Sequence, residues 1–198
     1  MMEMMMQIGL IAFQLFAMLN PPSCIPMFLA ATEGEGRRKR ARMARAATLL
    51  TFALMAVFAL IGNHLLKALD VSLEAMQLGG GILLLALSLS TVLGLDDEMG
   101  RADGEDAIVP IVTPLLVGPG TLTLLTVVSA YNPPHVLLAA VAIASLSAYA
   151  CFRASDLLAR ALGSTGIKAL ARLMAVLVAA MAAEMIHSAL LAWGIAEG

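Results

Sequence analysis

Two proline-bracketed segments, each inside an apolar stretch, carry the residues of this sequence best suited to bind a ligand. The first runs from Asn20 to Pro26 and the second from Thr113 to Gly120. In each segment two prolines stand five positions apart, and the two pairs are offset by 93 residues. Proline removes a backbone N–H and clashes with the preceding turn, so each segment is predicted to interrupt a helix. In hydrocarbon the freed polar groups are tolerated only where they are buried in protein or line a cavity.

An interrupted helix exposes N–H groups at the start of one half and C=O groups at the end of the other. The N–H groups suit an anion and the C=O groups suit an ammonium or another cation. Two breaks that meet near the membrane midplane favour a small zwitterion such as an amino acid, although proline kinks with only a packing role are the alternative. The predicted substrate-binding residues are Asn20, Pro21, Ser23, Cys24, Pro26, Thr113, Pro114, Gly118, Pro119, Gly120 and Thr121.

The composition indicates that lipid surrounds most of the chain. Hydrophobic residues make up 61% of the 198 positions and charged residues 13%, which a soluble domain of this length does not accommodate. Apolar stretches of about 20 residues are long enough to cross a bilayer core, and six are predicted. Five of them lie in the charge-free runs 4–32, 46–66, 75–95 and 107–152, the last holding two spans, and the sixth covers about 173–195.

The positive charges predict the orientation. Eleven of the 12 Lys and Arg residues fall in the first, third and fifth loops, and only Lys67 lies on the opposite side. The positive-inside rule therefore places these loops in the cytoplasm and both termini outside, in the inner membrane of a bacterium. Three spans per half force the second half to enter from the opposite face, which predicts an inverted repeat of 1–94 and 107–198 joined by an acidic cytoplasmic linker, 95–106.

The segment from Asn20 to Phe28 resembles the first signature of the MarC family of inner-membrane proteins, and Ala107–Gly120 resembles the second. Gly79–Leu84 and Arg172 also fit, so the resemblance covers essentially the whole chain. It implies six spans in an inverted 3+3 repeat and transport of small neutral amino acids such as glycine or alanine. Relatives usually have Asp-Pro-x-Gly-Asn in the first signature, where this chain has Asn20, Ser23 and Cys24.

Outside the two segments, Glu184 and His187 are spaced to share one face of the last span. A carboxyl inside a membrane is costly and is a candidate for proton coupling, while Glu-x-x-His pairs also occur as metal ligands. A metal or proton conduit through this pair is therefore the alternative function. The run Arg37–Arg42 either fixes topology or binds anionic lipid headgroups.

The sequence therefore predicts an all-α polytopic membrane protein with six spans, of which the first and fourth are broken. Its predicted function is transport of a small neutral amino acid by alternating access. No catalytic residue is predicted, because no nucleophile pairs with a base in the sequence. No metal ligand set, cofactor or nucleic-acid surface is predicted either. An intramembrane redox role for Cys24 or Cys151 is a weaker rival, since neither has a second catalytic group nearby. Assembly into a homo-oligomer is left open.

Overall fold

The structure is a computed structural model that describes residues 2–94 and 117–195. The acidic linker, Thr113 and Pro114 lie outside these residues. The described elements are all helices: α1 Met2–Leu19, α2 Pro21–Ala31, α3 Arg37–Ala68, α4 Leu73–Leu93, α5 Pro119–Ser129, α6 Pro134–Arg153 and α7 Ser155–Ala192.

Five of the described helices, α1, α3, α4, α6 and α7, are long and apolar enough to cross a membrane. The helical, polytopic part of the predicted fold is thus confirmed. The predicted first span corresponds to α1 together with the 11-residue α2, and α5 is the described part of the predicted fourth span. The total of six spans, which requires the fourth to cross the membrane, and the inverted repeat remain predictions.

Local backbone chemistry accounts for several helix ends. The hydroxyl oxygen of Ser72 accepts a hydrogen bond from the Ala75 N–H at 3.1 Å, which caps the start of α4. Gly94, with φ of 77°, ends α4 in the left-handed conformation that glycine adopts without strain. Within α7, Gly163 has φ of 64° and ψ of 178°, so the helix bends there into a short and a long segment.

The helices pack through small residues and a few large side chains. Along its length α4 packs on α7, where Gly81 sits against the backbone of Ala182. The rings of Phe28 and Phe152, 4.9 Å apart between centroids and both buried, join α2 to α6. Many large apolar side chains, including Leu49, lie exposed on the outer surface, as expected for helices that face lipid.

Two polar contacts show which loops share an end of the bundle. Arg40, in the first turn of α3, forms an ion pair of 2.6 Å with Asp156 in the first turn of α7. At the opposite end, Gln7 of α1 donates a hydrogen bond to Asn132, in the turn between α5 and α6. These contacts pair the first loop with the fifth and the start of α1 with the fourth loop, as alternating spans require. Which end faces the cytoplasm remains a prediction.

Candidate functional site

The first break is centred on Asn20, which has φ of 42° and ψ of 55°. This left-handed conformation is uncommon outside glycine, and asparagine is among the residues that adopt it most readily. The side-chain amide of Asn20 donates to the carbonyl of Ala171 in α7 at 3.3 Å. Its other side-chain atom, Oδ1, is buried and has no hydrogen-bond partner among the described residues. The break therefore holds an unpaired acceptor, and a buried unpaired acceptor is destabilising until a donor reaches it.

The end of α1 adds backbone acceptors beside Asn20. In an uninterrupted helix the carbonyls of Ala17 and Met18 would accept from the N–H groups four residues later. Those positions are Pro21 and Pro22, which have no N–H. The same two prolines leave the start of α2 without two of its N–H groups. The break at Asn20 thus offers oxygen atoms, which suit an ammonium group and not a carboxylate.

The remaining predicted residues of the first segment fall in different environments. Ser23 is half-buried and donates from its hydroxyl to the Asn20 carbonyl at 2.8 Å, while its N–H donates to the same oxygen at 3.0 Å. Cys24 is fully buried, with its sulfur 3.8 Å from the Ser23 hydroxyl oxygen. Pro26 lies inside α2 and is exposed, so it does not form part of the break. Only the first proline of this pair ends a helix.

In the second segment the helix begins at Pro119, the other member of its pair. Gly118 precedes it in an extended conformation and has no side chain to cap the helix. The Leu122 N–H donates to the Gly118 carbonyl at 3.3 Å, whereas Gly120 and Thr121 fall in the first turn, where N–H groups have no partner within the helix. Both residues are buried. This half of the site offers N–H groups, which suit an anion.

The two breaks are brought together by packing around Gly120. A Cβ atom added at Gly120 would overlap the side chain of Leu84 in α4 and lie 3.4 Å from Met18 Cε. Met18 stands two residues before Asn20, so the end of α1 reaches the start of α5. Leu84 lies at the middle of the Leu73–Leu93 helix. The second break is therefore near the mid-depth of that span.

Ala171, Met18 and Leu84 complete the site and were not among the residues expected from the sequence. Their roles come from a backbone carbonyl and from apolar side chains that contact the breaks. No local sequence motif marks such contacts, because they depend on how separate helices pack.

Glu184 and His187 lie elsewhere. Both are exposed on the surface of α7, while the other side of that helix turns Ala182 and Ile186 toward Gly81 of α4. Among residues 2–94 and 117–195 no three His, Cys, Asp or Glu side chains come close enough to hold a metal ion. The described geometry therefore brings the end of α1 close to the start of α5, while Glu184 and His187 are exposed on another part of α7.

Comparison with known proteins supports the conclusion that this chain is an integral membrane protein. Residues 5–193 match the family model described as MarC family integral membrane protein. The UPF0056 membrane protein MJ1677 of Methanocaldococcus jannaschii is 31% identical over 194 residues, which cover 91% of this chain and 95% of the relative. UPF0056 membrane protein YvbG of Bacillus subtilis is 30% identical over 190 residues, covering 89% and 90% of the two chains. UPF0056 membrane protein YhcE of Escherichia coli is 28% identical over 186 residues, covering 87% and 86%. No solved structure matches this chain. The family match over almost the full length shows that the chain belongs to the MarC family of integral membrane proteins.

Proposed function

We propose that this protein is a secondary transporter of small neutral amino acids such as glycine, alanine or serine. In this proposal it works by alternating access in the inner membrane, with both termini outside. The observation that carries the proposal is the buried, unpaired Oδ1 atom of Asn20 at a helix break that packs close to a second helix start. Family membership supports the membrane setting, and the break geometry supports the choice of substrate.

The ammonium group of the substrate binds at the end of α1. Its three N–H donors match Asn20 Oδ1 and the carbonyls of Ala17 and Met18, which Pro21 and Pro22 leave without helical donors. Hydrogen bonds from a charged group are stronger than those between neutral groups, and they are stronger still where water is excluded. This end of the site therefore selects a cationic group without using a carboxylate.

The carboxylate of the substrate binds at the start of α5. The N–H groups of Gly120 and Thr121 lie in the first turn, where the helix dipole favours negative charge. Thr113 and Pro114, outside the described residues, belong to the same proposed half of the site.

The packing around Gly120 limits the size of the substrate. Leu84 occupies the space where a Cβ of residue 120 would lie, and Met18 Cε is 3.4 Å from the same point. Substrate side chains larger than that of serine compete for the volume of these two residues, so glycine, alanine and serine fit best. Glu184 is proposed to couple transport to protons without contacting the substrate.

The decisive experiment uses Asn20→Gly, because glycine keeps the left-handed backbone and removes only the carboxamide. Asn20→Asp is the matched control, since it keeps an acceptor at the Oδ1 position. The purified protein in detergent is melted with and without glycine, and glycine uptake is measured in proteoliposomes. A ligand that binds only the folded state raises the melting temperature by mass action.

We expect glycine to stabilise the native protein and Asn20→Asp, and to have no effect on Asn20→Gly. Glycine uptake should likewise be lost in Asn20→Gly and kept in the native protein and Asn20→Asp. Equal stabilisation of Asn20→Gly and the native protein would refute a role for Asn20 Oδ1. Stabilisation by divalent metals alone, lost in His187→Ala, would favour the metal conduit.

A further inference from the structure

Five arginine side chains line one open cavity at the end of the bundle where α3 begins and α6 ends. Arg37, Arg38, Arg42 and Arg45 come from the first turns of α3, and Arg153 comes from the last turn of α6. Ala41 forms the remaining wall, and the cavity has a volume of about 480 Å³. If these arginines served only to fix the orientation of the protein in the membrane, Arg153 of α6 would not need to line the same cavity as the arginines of α3.

Among the described residues, no ion pair involves an arginine of this cavity. Within the described ranges, the ion pairs at this end use Lys39 with Glu35 and Arg40 with Asp156, and neither basic residue lines the cavity. Arg45 donates from Nε only to the carbonyl of Ala41, in its own helix. Guanidinium groups of like charge held near one another raise the local positive potential, and an anion between them lowers that energy.

Arg40 connects the helix ends beside the cavity. Its guanidinium bonds both carboxylate oxygens of Asp156, at 2.6 and 2.7 Å, and the Thr32 carbonyl at 3.1 Å. It thereby ties the start of α3 to the start of α7 and to the end of α2. The first turn of α3 also carries the positive end of its dipole, and Gly36 supplies no side chain to cap it. Arg40 therefore fixes the helix ends from which the exposed arginine side chains of the cavity extend.

The height of the cavity matches the headgroup region of a bilayer. Arg45 is the last charged residue before the apolar part of α3, and Leu49, one turn further along, is 67% exposed toward the predicted lipid. Guanidinium groups bind phosphate oxygens in paired, planar geometry. We propose that this cavity binds a phosphate monoester or diester, from an anionic phospholipid headgroup or from a soluble phosphate compound. The site does not depend on the proposed transport function.

The test compares Arg153→Gln with Arg160→Gln. Both residues are exposed and belong to the same predicted loop, so each variant loses one charge from the same region, but only Arg153 lines the cavity. Binding is measured on the full-length protein by native mass spectrometry in neutral detergent with phosphatidylglycerol or phosphatidylcholine. Parallel samples contain inorganic phosphate or glycerol 3-phosphate, and melting temperatures are recorded for all of them.

We expect phosphatidylglycerol to bind in preference to phosphatidylcholine, and Arg153→Gln to weaken its binding about fivefold, the effect of one basic residue near an anionic surface. Arg160→Gln should change it by less than about twofold, since it lies outside the cavity. Stabilisation by glycerol 3-phosphate as strong as by the lipid identifies a soluble phosphate compound as the ligand, and stabilisation by the lipid alone identifies the headgroup. Equal losses in the two variants, or no preference for anionic lipid together with no response to phosphate, would overturn the proposal.

Discussion

Three consecutive glycines in α4 provide a test of the packing in which only position changes. Gly79 is exposed and an added Cβ there meets nothing within 4 Å. At Gly80 the added Cβ would overlap the Thr123 methyl group and lie 2.8 Å from Thr123 Cβ. At Gly81 it would lie 2.7 Å from Ile186 Cγ1 and 2.9 Å from the Ala182 carbonyl oxygen. The same substitution by alanine therefore meets open space, a side chain or a backbone.

The expected order follows from these distances. Gly79→Ala should stabilise the protein by up to about 1 kcal/mol, because alanine is the better helix former. Gly80→Ala and Gly81→Ala force atoms into contacts shorter than the usual 3.4–4 Å, and overpacking costs about 1–3 kcal/mol. The larger cost is expected at Gly81, where the carbonyl of Ala182 cannot rotate away and α4 must move from α7. For a chain of this size, 1 kcal/mol corresponds to about 2–4 °C in melting temperature.

The assay is thermal unfolding in detergent followed with a thiol-reactive dye, since Cys24 is fully buried and becomes reactive only on unfolding. Cys24→Ala, which leaves only the half-buried Cys151, provides the control for the origin of the signal. Melting temperatures for Gly79→Ala, Gly80→Ala and Gly81→Ala that agree within about 1 °C would refute the close approach of α4 to α5 and α7.

Three further outcomes test other contacts. Gly120→Ala should lower both the melting temperature and glycine uptake, and adding Leu84→Ala should restore part of both, because it removes the side chain that the new methyl group would overlap. Melting curves and uptake assays measure the two effects. A double variant no better than Gly120→Ala would contradict this contact. Phe28→Ala should lower the free energy of unfolding by about 3–5 kcal/mol, since it removes a buried ring packed on Phe152, whereas Phe13→Ala, on an exposed ring, should change it little in the same thermal assay. Glu184→Gln should slow proton-driven glycine uptake in proteoliposomes and leave glycine binding unchanged, because Glu184 is exposed on α7 away from the breaks; loss of binding would place it in the site instead.

Patterns within single segments allowed much of the fold to be predicted. The contacts between segments could not be predicted in this way. Apolar runs free of charge mark helices because lipid requires them, and Pro21 marks a break because it lacks an N–H. Pro26 was expected to mark the same break, yet α2 continues through it. A proline five residues after Pro21, which already begins the helix, removes only one more hydrogen bond, and the surrounding packing can offset that loss. The contact of Gly120 with Leu84 depends on the crossing of α4 and α5, which no single segment encodes.

In the proposed transporter, Asn20 would bind the substrate without taking part in proton coupling. Asn20 supplies an acceptor that does not titrate, and the carbonyls of Ala17 and Met18 do not titrate either. Glycine, which stays zwitterionic between about pH 4 and 8, should therefore bind the native protein with the same affinity across that range. Asn20→Asp introduces a carboxyl at the break, so its glycine affinity should fall as the pH is lowered and that carboxyl is protonated. Isothermal titration of both proteins at pH 4.5, 6 and 7.5 measures this difference. A native affinity that changes with pH as steeply as that of Asn20→Asp would mean that another titrating group contacts the substrate, and the ammonium site would then have to include it.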